Sequence, residues 1–229
     1  MTGSSSRTAR VLRTVIVLVV LTAIVLVETT SRTGVLWRLT TFTYQVNVLA
    51  AAYYAWTLMS PARADARPGL RGAVVLYVVV AGLVWNLFLT GMSMGYTTAN
   101  VLLHVVMPAL AMADWLVVGR SQGGVRWWQP LAWLGYPVVY LGLALLVLNH
   151  AGRRAPYYFL DPDSVGGAAV VGNVALLALG FAALGYLLWA LGRASVACLR
   201  VADRGRAGLG TSSGPPTGAT ADTDRAVRW

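Results

Sequence analysis

Residues 97–118 read TTANVLLHVVMPALAMADWLVV, and the fold turns on this run. Past Ala99 only Asn100, His104 and Asp114 interrupt a stretch of apolar residues. A helix of this length, rising about 1.5 Å per residue, covers a hydrocarbon core about 30 Å thick. Five more apolar runs flank it, at 11–28, 39–59, 72–92, 130–149 and 166–191. Each is long enough to cross a bilayer. The chain has 229 residues, 57% of them hydrophobic and 11% charged, where soluble domains carry about 25% charged residues. A water-soluble globule is excluded on that balance. The expected class is all-α, a polytopic membrane bundle of six transmembrane helices spanning 11–195. A short cytoplasmic segment, 1–10, precedes it. A largely disordered cytoplasmic tail, 196–229, follows; its Gly, Ser, Thr and Pro content provides no apolar face.

Every one of the 18 basic residues is arginine, as a high-GC coding sequence favours, and their distribution orients the chain. Fourteen lie at the N-terminus, in the second and fourth connections, and after the last span: Arg7, Arg10, Arg13, Arg63, Arg67, Arg71, Arg120, Arg126, Arg193, Arg200, Arg204, Arg206, Arg225 and Arg228. Arg32, Arg38, Arg153 and Arg154 lie on the other side. Both termini are therefore expected in the cytoplasm, which an even span count requires. The first run resembles a signal peptide, but it continues to Val27 and Glu28 with no small-residue cleavage pattern; it reads as a retained span. The net charge of +10 would point to nucleic acid in a soluble protein. Here the arginines edge apolar runs, so the expected partners are anionic lipid headgroups at the cytoplasmic face, and no nucleic acid. Trp37, Trp127 and Trp128 sit at span ends as interface anchors. Gly172, Gly180 and Gly185 suit close helix contact in the last span. The lone Cys198 excludes an internal disulfide.

The polar residues inside the spans share one depth. Span two enters from the outer side with Thr41, Thr43, Gln45 and Asn47. Span three carries Asn86 in its outer half. Span four enters with Asn100 and His104, four apart and so on one helix face. Span five exits at Asn149 and His150, and the connection after it reads Tyr157-Tyr158-Phe159-Leu160-Asp161. An intramembrane histidine marks function by default. A hydroxyl beside an imidazole can perform nucleophilic catalysis, the imidazole taking the hydroxyl proton and returning it to the leaving group. Amides such as Asn47, Asn86 and Asn100 can donate to an oxyanion or position the pair. Thr41, Gln45, His150, Tyr157 and Asp161 are candidates for lining the pocket. Each residue also has a plainer reading. Threonine in a membrane helix bonds its own backbone, asparagine ties helices together, a buried histidine can be structural, and His150 near the interface is solvated. Asp114, deeper and beside Trp115, is expected to pair with Arg120 or another cytoplasmic arginine; a proton relay with His104 is the competing use. Two histidines without a local carboxylate pattern do not make a zinc site. No P-loop, dinucleotide fingerprint or cofactor motif occurs.

The segments Phe42-Thr43-Tyr44-Gln45-Val46-Asn47, Asn100-x-x-x-His104-x-x-x-Pro108 with Asp114-Trp115-Leu116, and Tyr157-Tyr158-Phe159-Leu160-Asp161 together resemble the androgen-induced protein family over residues 10–195. The resemblance implies a bacterial, actinobacterial relative of six-span membrane hydrolases of fatty-acid esters of hydroxy fatty acids. It implies a threonine nucleophile at Thr43, or Thr41 in an alternative register, and a histidine base at His104. The proline after the animal family's histidine is spaced one residue further on than Pro108. A lipid ester reaching the site through the bilayer of a bacterial plasma membrane is the expected substrate. A transporter using His104 and Asp114, or a structural membrane protein, are the alternatives from other classes.

Overall fold

Ile16, Val20 and Ala23 recur at helical spacing on the first apolar run, and all three are fully buried. Val11, Leu18, Leu21 and Val25 between them face outward and are exposed. A helix with one face in the core and an equally apolar face outside is built for lipid, since a water-facing helix carries polar residues there. The computed structural model describes residues 2–30, 34–91, 95–118, 121–148 and 157–210. Among them there is helix and no strand.

Six helices carry the architecture. They are α1 (Thr2–Thr30), α2 (Phe42–Met59), α3 (Pro68–Leu89), α4 (Thr98–Val118), α5 (Gln129–Leu146) and α6 (Gly167–Gly210). Five of them, all but α2, are long and apolar enough to cross a membrane, the pattern of an integral membrane protein. The segment expected as the second span is the exception. Thr43, Gln45, Asn47 and Thr57 set α2 apart from its neighbours. It packs between α1 and α3, while α4 lies against both α1 and α3. Residues 2–10, expected as an N-terminal segment, belong to α1. The chain divides into two compact units, Met1–Val196 and Ala197–Trp229. In the second, expected as largely disordered tail, the described residues up to Gly210 are helical.

Close approach is built from glycine at other positions than the sequence suggested. Nothing lies within 4 Å of a Cβ placed on Gly172 or Gly180, whereas Gly185 meets Pro130 at 3.3 Å. The tightest interhelical contact near the polar residues is at Gly82 on α3. A Cβ there would sit 2.5 Å from His104 O and 2.9 Å from Pro108 Cγ. Several helices end or continue in π-helical turns: Trp85–Leu89, Leu102–Val106, Asp114–Val118 and Leu143–Leu148. Such turns are rare and often accompany functional residues; the second of them holds His104.

Candidate active site

Thr41 starts the site by capping α2. Its Oγ1 accepts from Tyr44 N at 3.4 Å and donates to Arg38 O at 2.8 Å. A hydroxyl engaged in this way in its own turn is an N-cap. Two residues on, Thr43 points into the bundle and is 8% exposed. Its Oγ1 lies 3.3 Å from His104 Nε2, across 61 positions of sequence. The other ring nitrogen, Nδ1, is 2.9 Å from Asn100 O. A backbone carbonyl can only accept. In the neutral ring Nδ1 therefore carries the proton, and Nε2 presents its lone pair to the threonine hydroxyl. The Asn100-x-x-x-His104 spacing thus works through the asparagine backbone.

The imidazole is 2% exposed and held from every side. Trp85 stacks on it with centroids 4.7 Å apart and planes 17° from parallel. Pro108 has no N–H to return to the carbonyl of His104 one turn back. The freed His104 O receives Asn86 Nδ2 at 3.5 Å, and Gly82 lets α3 come close enough for this to happen. Asn86 also donates to Gly82 O at 2.8 Å. Asn86 therefore positions the histidine and has both amide hydrogens engaged.

The expected oxyanion role of the amides is not where their donors go. Asn47 Nδ2 donates to Thr43 O at 2.9 Å, and Asn100 Nδ2 to Gly95 O at 2.9 Å. These amides tie down backbone carbonyls that a buried or turning chain must satisfy. The hydroxyl beside Thr43 is the Tyr157 phenol. Tyr157 Oη accepts from Thr43 N at 3.4 Å, and its ring packs against Tyr140 with centroids 6.5 Å apart. Burial raises its pKa above the ordinary phenol value, which keeps it a neutral O–H. Tyr157 stacks on Phe159 at 5.4 Å with planes 10° from parallel, so the connection after α5 folds its aromatic face onto the start of α2.

Thr43 and Tyr157 line one apolar cavity, walled by Val80 and Val84 of α3, Pro137 and Leu141 of α5, and Leu177 and Phe181 of α6. A second apolar cavity shares Val80, Val84, Phe159, Leu177 and Phe181 with it. The rims include Val138, Leu87 and Leu176, each more than half exposed on the outer surface of the bundle. Apolar side chains therefore line the space between the flank of the bundle and the threonine.

The remaining candidates have structural work. Gln45 accepts from Tyr136 Oη and donates to Leu39 O, both at 2.6 Å, and does not line the cavity. Asp161 caps the short helix Pro162–Val165, accepting from Asp163 N at 3.1 Å and Ser164 Oγ at 2.6 Å. His150 and Asn149 lie outside the described residues, as does Arg120. Asp114 is fully buried and pairs with Arg13 Nε at 3.2 Å and Arg71 Nε at 2.9 Å. These are two of the arginines counted as cytoplasmic. Gln122 Oε1 accepts from Arg71 Nη1 at 3.3 Å, and the Trp115 ring lies under the Arg71 guanidinium at 5.4 Å. Among the described residues no group of His, Cys, Asp or Glu could hold a metal.

Sequence reasoning missed Trp85, Gly82 and the direct contact of Tyr157 with Thr43. Only the order Trp85-Asn86 in an apolar run hinted at the first. No family model matches the chain, and no curated protein or solved structure matches it.

Proposed function

We propose that this chain is a membrane-embedded hydrolase of lipid esters, with Thr43 as nucleophile and His104 as general base and then acid. The observation that carries the reading is the ordered set Asn100 O, His104 and Thr43, with contacts of 2.9 and 3.3 Å, whose threonine lines an apolar cavity. Thr43 Oγ attacks the ester carbonyl carbon as its proton passes to Nε2. The alcohol leaves with that proton, and water repeats the sequence on the acyl-threonine. No group outside the chain is invoked. The substrate is a fatty-acid ester whose acyl chain enters from the flank, in keeping with the resemblance to the androgen-induced protein family. The bundle crosses a bacterial plasma membrane six times, α2 included, with both termini cytoplasmic and its arginine-rich face against anionic lipid. A proton relay through Asp114 is disfavoured by that carboxylate's engagement with two arginines.

A fluorophosphonate probe on membranes containing the full chain tests this. Wild type is expected to be labelled and Thr43→Ala not, while His104→Gln slows labelling about 10²–10⁴-fold. Equal labelling of wild type and Thr43→Ala removes the mechanism.

A further inference from the structure

Tyr157 has a hydroxyl that the reaction above leaves unused. It is buried, lines the same cavity as the Thr43 side chain, and meets α2 at its first turn. That turn is where helix amides lack intrahelical partners, and one of them, Thr43 N–H, points at the phenol oxygen at 3.4 Å. The neighbouring Tyr140 O–H donates to Thr40 O at 3.1 Å, so its proton is committed elsewhere. The Tyr157 O–H can turn toward the threonine side, because its oxygen lies 3.4 Å from Thr43 N and the ring lines the cavity that Thr43 lines. An ester carbonyl attacked by Thr43 Oγ places its oxygen one bond beyond the attacked carbon, beside the same phenol. Phe159 stacked behind the ring and Tyr140 against its edge, with centroids 5.4 and 6.5 Å away, fix the direction of the hydroxyl.

We infer that Tyr157 is a further catalytic residue, donating its O–H hydrogen bond to the oxyanion that forms when Thr43 attacks an ester carbonyl. This rests on the hydrolase reading and adds to it the missing electrostatic partner. In the step the Thr43 Oγ–carbon bond forms, the carbonyl π pair moves onto oxygen, and the threonine proton goes to His104 Nε2. Tyr157 stabilises the oxyanion without giving up its proton. Collapse then restores the carbonyl and expels the alkoxide, which takes the proton from Nε2. A donor held in a dry cavity before charge develops is worth about 10²–10³ in turnover. The surrounding helix amides add to it, because the start of α2 presents its positive end to the same point.

The test uses the full chain in proteoliposomes with p-nitrophenyl decanoate and its thionoester, in which sulfur replaces the carbonyl oxygen. Tyr157→Phe is expected to lower kcat about 10²-fold with KM unchanged. Wild type is expected to favour the ester strongly over the thionoester, sulfur being the poorer acceptor, and the variant to lose most of that preference. Turnover that needs Thr43 and His104 but is the same in Tyr157→Phe overturns the inference alone. So does a wild type indifferent to the sulfur, a result that does not depend on the variant folding. Turnover that ignores Thr43→Ala overturns the hydrolase reading and this one with it.

Discussion

At the scale of single residues, the tautomer of His104 decides what the site can do. Nδ1 gives its proton to Asn100 O, so the lone pair that remains is the one facing Thr43. A carboxylate often orients such a histidine; here a peptide carbonyl does it, at no cost in buried charge. The choice between Thr41 and Thr43 is also made at this scale. Both are threonines near the start of one helix, and sequence spacing does not separate them. The first has its hydroxyl in a capping turn, and the second faces an imidazole. Gly82 is the residue where a single methyl group tests the arrangement. Gly82→Ala places a Cβ 2.5 Å from His104 O, and overpacking of this kind costs about 1–3 kcal/mol. The expected result is a lower thermal midpoint in detergent together with weaker fluorophosphonate labelling. Gly172→Ala, with open space around it, is the control expected to leave both unchanged.

At the scale of elements, α4 joins two buried polar sites with different partners. His104 lies near its start, and Asp114 ten residues further on, about 15 Å along the axis. Met107 and Ala111 between them are fully buried, so apolar side chains fill this face between the two. The Asp114 cluster ties α1, α3 and α4 together through Arg13 and Arg71. Removing the shared carboxylate leaves two buried guanidinium groups without their counter-charge, and breaking a buried pair this way costs about 3–5 kcal/mol. Asp114→Asn is therefore expected to lower the thermal midpoint and the yield of solubilised protein. Labelling of Thr43 in whatever protein remains folded is expected to persist. Equal thermal midpoints for wild type and variant would deny the cluster its structural role. The start of α2 is braced similarly from the other end. Tyr44 Oη donates to Glu28 Oε1 at 2.7 Å, and Arg38 Nε to the same oxygen at 2.9 Å. The α1 terminus thus helps hold the turn from which Thr43 projects.

For the whole molecule, the apolar exterior and the two polar ends of the bundle set the orientation argument. The threonine–histidine pair sits at the end opposite the Asp114 cluster, whose arginines belong to the side rich in positive charge. If the chain after the last span is cytoplasmic, as proposed, Cys198, which is exposed, faces the cytoplasm. A membrane-impermeant maleimide is expected to label it in inverted vesicles and to leave it unlabelled in intact spheroplasts. Labelling in spheroplasts would reverse the topology and put the proposed active site on the cytoplasmic side.

Apolar run length and composition alone settled the helical, membrane character of the chain. The polar residues Thr43, Asn86, Asn100 and His104 were legible as a group because ionisable and amide side chains are costly in hydrocarbon and stand out against it. Their roles were not legible. Periodicity places a residue on a face of its own helix, but contacts across 61 or 114 positions depend on how each helix is rotated and where it is locally rewound. The π-helical turn around His104, the carbonyl freed by Pro108, and the loop that brings Tyr157 onto the first turn of α2 are tertiary facts. They alone decided that the asparagine donors hold backbone and that a tyrosine faces the threonine.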